Sequence, residues 1–216
     1  MTIWAIVPVK PMRRGKSRLA GILTEDERAD LTAELLRHTL EVLNNVPEIE
    51  CALVASRDPA ALKIGQALGA VTFAEGEKQD LNLALARTAH VAAAQGAKGI
   101  LILPVDLPFL DEEAVTAMID AVLPDEAGQF GNGRHYTPHA MAICTDCQGN
   151  GTNALLIFPP TGFTFHYGPG SFERHVEEAG RLGMTYQIVE NDKLHFDIDT
   201  EADWRHYQAQ LAASEV

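Results

Sequence analysis

The chain has 216 residues, 46% of them hydrophobic, with 30 acidic against 17 basic side chains for a net charge of −13. That length can bury the core of one α/β domain, and the acidic balance argues against a nucleic-acid surface. No apolar run is long enough to span a membrane, Met1-Thr2-Ile3-Trp4 lacks the basic start of a signal peptide, and three irregularly spaced cysteines fit a reducing cytoplasm.

Ile3 to Val7 predicts a buried strand stopped by Pro8. Thr24-Glu25-Asp26-Glu27 is a capping box opening a helix with the stripe Leu31, Leu35, Leu36, Leu40 and Leu43. Cys51 to Ala55 is a second strand; Asp58-Pro59 starts a helix to about Leu68, with the aspartate as N-cap. Val71 to Ala74 is a third strand, Leu81 to Ala94 an alanine-rich helix, and Gly99 to Leu103 a fourth strand ended by Pro104. Asp111 caps a helix carrying Val115, Met118, Ile119 and Val122.

Residues 124–139 contain no convincing element and read as a loop. Strands follow at Met141 to Cys144 and Ala154 to Phe158, then a helix marked by Phe172, Val176 and Ala179 and closed by Gly183. Strands near Tyr186 to Val189 and His195 to Ile198 precede a last helix capped at Thr200. The alternation predicts an α/β fold, a mostly parallel sheet with helices on both faces, in a single domain over residues 1–216. In such a sheet the segments leaving the carboxyl ends of the strands carry the chemistry.

Lys10, Arg13, Arg14, Lys16 and Arg18 form a basic island after the first strand, which is either a solvated loop or the landing place of a polyanionic substrate. Its glycines fit neither a P-loop nor a dinucleotide fingerprint. Asp106 stands between two prolines just past a buried strand, in the place of a divalent-cation ligand, while Asp111 serves as the helix cap. Asp197 and Asp199 have i, i+2 spacing that puts both carboxylates on one side, where they repel unless a cation lies between them. Either one of them merely starts the last helix or, with Thr200 serving as that cap, both join Asp106 in a three-carboxylate magnesium site.

The turns Gly149-Asn150-Gly151-Thr152-Asn153 and Gly168-Pro169-Gly170-Ser171 offer unblocked backbone donors for a phosphate or carboxylate. Ser171 is equally readable as an N-cap, and the two roles are compatible. Cys144 and Cys147 have C-x-x-C spacing without a second such pair to complete a zinc site; completion by His135 and His139 across the loop is the lesser reading.

Val7-Pro8-Val9-Lys10-Pro11 with Lys16-Ser17-Arg18-Leu19 resembles the opening of the 2-phospho-L-lactate / phosphoenolpyruvate guanylyltransferases of coenzyme F-420 biosynthesis. Leu81-Asn82-Leu83-Ala84-Leu85, Leu103 to Pro108, Gly151 to Leu155, Phe163 to His175 and Asp197-Ile198-Asp199-Thr200 match in the same order over nearly the whole chain. One departure is Cys147, where the family often has a basic residue after the aspartate.

The resemblance implies a nucleotidyltransferase-like, Rossmann-like fold of GT-A type, with GTP as donor, Mg²⁺ as cofactor and a small three-carbon phospho-acid as acceptor. It implies that Asp106, Asp197 and Asp199 hold the metal, and that Thr152, Gly168 and Ser171 bind the acceptor, with Asn82 a further substrate-binding residue. Lys10, Lys16 and Arg18 are then expected to hold the triphosphate. The acceptor phosphate would attack the α-phosphorus of GTP without a general base, because a phosphate monoester is already largely dianionic at neutral pH. Phosphoenolpyruvate is the favoured acceptor by analogy with bacterial members. The alternatives are a related enzyme acting on a sugar phosphate or molybdopterin, and a phosphometabolite-binding module without catalysis. No partner beyond small molecules is expected, apart from handover of product to the next enzyme of the pathway.

Overall fold

The computed structural model describes residues 2–76, 80–122 and 139–214. Four strands come first: β1 (Ile3–Val9), β2 (Ile49–Ser56), β3 (Val71–Ala74) and β4 (Gly99–Ile102). They alternate with helices α1 (Glu25–Asn45), α2 (Pro59–Ala67), α3 (Leu81–Ala94) and α4 (Glu112–Asp120). The second half adds β5 (Ala140–Thr145), β6 (Thr152–Phe158), α5 (Ser171–Arg181), β7 (Thr185–Ile188), α6 (Asp192–His195) and α7 (Glu201–Ser214). The loop expected over 124–139 lies, up to residue 138, outside the described residues.

One seven-stranded sheet has the order β3-β2-β1-β4-β6-β5-β7. β1, β2, β3 and β4 are mutually parallel, and β6 runs antiparallel to both β4 and β5. Alternate residues of the central strands enter two cores, as the two-residue period requires. Ala5, Val7 and Leu101 pack with Leu36, Leu40 and Leu43 of α1 and Val115 and Met118 of α4. Trp4, Ile6 and Ile100 pack on the other face with Leu85, Ala89 and Ala92 of α3 and Ala179 of α5. The expected fold class is therefore observed, with helices on both faces.

Caps legible in the sequence form as read. Thr24 Oγ1 accepts from the Glu27 N–H while Glu27 accepts from the Thr24 N–H, and Asp58 and Asp111 cap α2 and α4. Two elements differ from the expectation. β1 continues through Pro8 to Val9, because its last β4 partner is Ile102 opposite Ile6. The missing proline N–H therefore removes no bond on that side. His195 to Ile198 forms no strand: the Asn191 side chain caps the one-turn α6, and the Ile198 N–H bonds to the Asp106 carbonyl in a loop.

Gly99 opens β4 directly beneath the ring of Phe158, and a Cβ built there would lie 2.2 Å from Phe158 Cε1. Gly99→Ala should lower stability by about 1–3 kcal/mol, read as a lower urea midpoint, since overpacking displaces neighbours in a dense core. Adding Phe158→Leu should recover part of that loss.

Candidate active site

The antiparallel direction of β6 puts its first residues where the parallel strands end. Register pairs Ile102 with Leu155, so Thr152 and Asn153 extend past the carboxyl end of β4, beside Pro104 to Asp106. There a cavity of about 470 Å³ opens, within the range of small-molecule sites. Its wall includes Lys10, Arg14 and Lys16 after β1, Arg57 after β2, Glu75 after β3, Asp106 after β4, and Thr152, Asn153, Asp197 and Asp199.

The basic segment is built rather than loose. Met12 N–H donates to Asp58 Oδ2 at 2.8 Å, so the α2 cap also anchors this loop, and the Arg14 and Gly15 N–H groups turn back to the Pro11 carbonyl. Lys16 adopts a left-handed backbone (φ 49°), unusual for a side-chain-bearing residue, and its Nζ donates to the Ile198 carbonyl at 2.9 Å. Buried Arg28 supports the loop through the Arg13 carbonyl.

Asp106, Asp197 and Asp199 each offer a carboxylate oxygen within 4.8 Å of the others. The i, i+2 reading of Asp197 and Asp199 thus places both acids on one site, although the segment is not a strand. Burial first, then the charge of Asp106, pushes Asp197 up to about 6. Asp199 is raised by the same two causes and eased by Lys16, Arg18 and Lys10. A crowded set of hard oxygen donors whose ionised forms are disfavoured without a counterion suits a divalent cation such as magnesium. Among the described residues it is the one His, Cys, Asp or Glu grouping close enough to share an ion.

Of the residues singled out in the sequence, Lys10, Lys16, Asp106, Thr152, Asp197 and Asp199 line the cavity. The other four residues stand beside it. Arg18 is exposed and ion-paired to Asp199 at 3.2 Å. Asn82 clasps Tyr167 by both its backbone groups, accepting from its N–H at 2.7 Å and donating to its carbonyl at 3.2 Å, and so holds a lining residue in place. Ser171 is not the N-cap of α5. Gly170, with a left-handed φ of 70°, takes that position, while the buried Ser171 hydroxyl bonds to Thr152 Oγ1 at 3.1 Å. Gly168, at φ 125°, shapes the turn ahead of it.

The donors expected to be free in the Gly149–Gly151 turn are engaged internally. Asp146 accepts from the Gln148, Asn150 and Gly151 N–H groups, at 3.1, 2.9 and 2.8 Å. Cys144 is buried in the core and its thiol pushed up to about 12 by desolvation, whereas Cys147 is exposed; both are free cysteines. Asn153, to which the sequence reading gave no role of its own, lines the cavity as well. Buried, it donates to the Leu194 and His195 carbonyls and to Asp197 Oδ1 at 3.3 Å, fastening an acid of the cluster to β6. Its place in the Gly-Thr-Asn turn at a strand start was the available signal.

Fold and site together define a nucleotidyltransferase architecture. A solved nucleotidyl transferase from Methanothermobacter has a similar fold, with a TM-score of 0.67 at 12% identity over 98% of each chain. Residues 3–207 match the family described as "Guanylyl transferase CofC like", and the chain belongs to it. Among its relatives is the phosphoenolpyruvate guanylyltransferase of Rubrobacter xylanophilus, 36% identical over 209 residues, covering 97% of this chain and 95% of that protein. Another is the phosphoenolpyruvate guanylyltransferase of Roseiflexus castenholzii, 38% identical over 203 residues, covering 94% and 86%.

The repulsion within the cluster is directly testable. A carboxyl raised to about 6 contributes stability below its unfolded pKa of about 3.9 and loses it as pH rises through 6. Asp106→Asn removes one of the two main causes, so the Asp197 titration should move toward the ordinary carboxylate range. Carboxyl ¹³C shifts followed against pH in metal-free protein would show it; an unmoved midpoint would mean that Asp106 exerts no such charge.

Proposed function

We propose that the protein transfers GMP from GTP to the phosphate of a three-carbon phospho-acid with release of pyrophosphate, in the biosynthesis of coenzyme F-420. Phosphoenolpyruvate is the acceptor favoured and 2-phospho-L-lactate the next. The observation that carries the reading is the convergence of Asp106, Asp197 and Asp199 with Lys10, Lys16, Arg14 and Arg57 on one cavity, in a chain whose relatives bear that enzyme's name. On this reading residues 1–216 act as one catalytic domain in the cytoplasm, and both substrates are small molecules.

The acceptor's phosphate oxygen attacks the α-phosphorus, and the bond to the β-phosphate bridging oxygen breaks as pyrophosphate leaves. No side chain need take a proton, since a phosphate monoester with a second pKa near 6 is already largely dianionic at neutral pH. The chain's task is to align two anions and offset their repulsion. Lys10 and Lys16 bind the triphosphate and the departing pyrophosphate as movable cations, with Arg18 in reserve on Asp199. Thr152 faces the acceptor, backed by Ser171. Mg²⁺ held by Asp106, Asp197 and Asp199 would supply charge neutralisation between the two phosphate groups.

Pyrophosphate release should require GTP, Mg²⁺ and one of phosphoenolpyruvate, 2-phospho-L-lactate or 3-phospho-D-glycerate, with ATP giving little. Asp106→Ala and Asp199→Ala should each reduce kcat at least about 100-fold at saturating Mg²⁺ with an unchanged circular dichroism spectrum. Near-normal turnover in both would refute the assignment of the acids. Release with none of the three acceptors, despite GTP binding, would point to another acceptor or to a binding module.

Removing one cation from the first basic turn gives a graded effect. Lys16→Ala should raise KM for GTP and slow turnover about 10- to 100-fold in steady-state assays, because it deletes one movable cation while the Asp106–Ile198 bond keeps the acids in place.

A further inference from the structure

The cavity wall at Thr152 is also backed by a buried histidine that the reaction above leaves without a role. His175, on α5, is fully buried with both ring nitrogens engaged. Its Nε2 lies 2.9 Å from the backbone N–H of His166, a group that can only donate, so Nε2 accepts. Burial, reinforced by the charges of His166 and Arg174, pushes the imidazole down to about 3, so the ring is neutral and its single proton sits on Nδ1. Nδ1 is 3.0 Å from Thr152 Oγ1, which therefore accepts. The Ser171 hydroxyl donates to the same oxygen at 3.1 Å.

A hydroxyl has two acceptor lone pairs and one proton. Both lone pairs of Thr152 Oγ1 are filled from the protein side, by His175 and Ser171, and Thr152 lines the cavity. With Ser171 as the donor of that pair, the Thr152 proton is left for the ligand. A threonine hydroxyl is ordinarily ambivalent, donating or accepting as its neighbour requires. Here the backbone of His166 removes that choice through the imidazole.

We propose that His175 is a positioning residue that fixes the Thr152 hydroxyl as an obligate donor to an anionic oxygen of the bound phospho-acid. This rests on the reading of the acceptor given above. The consequence is selectivity for a ligand that presents a bare oxygen, carboxylate or phosphate, at that wall, and a loss that falls on the phospho-acid and not on the nucleotide when His175 is changed.

Two measurements test it. Long-range ¹H–¹⁵N spectra of the wild-type protein should show His175 as the neutral Nδ1–H tautomer between pH 6 and 8; a dominant Nε2–H tautomer would overturn the proposal whatever the enzyme does. The second is a double-mutant cycle in steady-state assays. His175→Phe and Thr152→Val should each raise KM for phosphoenolpyruvate about tenfold, the scale of one lost hydrogen bond. The double variant should be no worse than Thr152→Val alone, and KM for GTP should stay within about twofold throughout. His175→Asn, whose amide can donate from the Nδ1 position, should restore most of the loss. Additive effects, or equal rises in KM for GTP, would overturn the proposal. If His175→Phe does not fold, His175→Gln, with its amide at the Nε2 position, takes its place in the cycle. Should the wild-type protein release pyrophosphate with no phospho-acid, the proposed function fails, and the tautomer spectrum alone decides whether Thr152 is held as described.

Discussion

The site depends on how Ile198 is held. Its N–H bonds to the Asp106 carbonyl at 2.9 Å, its carbonyl takes the Lys16 ammonium, and its side chain is fully buried with Leu19, Leu31, Leu35 and Tyr207. Those three attachments fix the residue between the two acids beside Asp106, although separation is what the charges favour. Burying an isoleucine contributes about 1.5–3 kcal/mol, of the same order as the penalty that burial and repulsion impose on Asp197. The fold thus holds an unfavourable group of charges in place with apolar packing and two backbone hydrogen bonds. A preassembled set of acids needs little rearrangement to receive a cation, which is the general advantage of preorganisation.

The reversal of one strand does comparable work for the opposite wall. Had β6 been parallel, Thr152 and Asn153 would lie at the far edge of the sheet, away from Asp106. Antiparallel pairing brings the start of β6 to the ends of β1 and β4, and Asn153 then reaches Asp197 while Thr152 reaches Ser171 and His175. The basic loop, the acids and the hydroxyl wall therefore come from three separate parts of the chain, each fixed by main-chain or buried polar contacts.

Much of this was legible in the sequence, because short-range physics determined it. The capping box at Thr24, the Asp58-Pro59 start, the leucine stripe of α1 and the apolar runs of β2 and β4 depend on neighbours within one or two turns. Asp106, Asp197 and Asp199 were recognisable because carboxylates next to rigid or apolar residues have few structural uses. What was not legible depends on contacts distant in sequence. Leu194, Phe196 and Ile198 alternate like a strand, yet Asn153 and Asp106 claim the backbone around them. Ser171 has the residue type of an N-cap, but Thr152 competes for its hydroxyl and Gly170 supplies the turn. The free donors seen in the Gly149–Gly151 turn are taken by Asp146 only once the loop has closed.

The order of the acids along the chain bears on synthesis. A nascent polypeptide that has emerged through β6 already carries every strand from β1 to β6, Asp106 and the basic loop, but neither Asp197 nor Asp199. Its central sheet can therefore form while Asp106 stands without its two acidic neighbours, and the electrostatic cost arrives only when the last part of the chain docks. The crowded acids are in this sense a late addition to the sheet, since Asp197 and Asp199 follow its last strand, β7, in the chain.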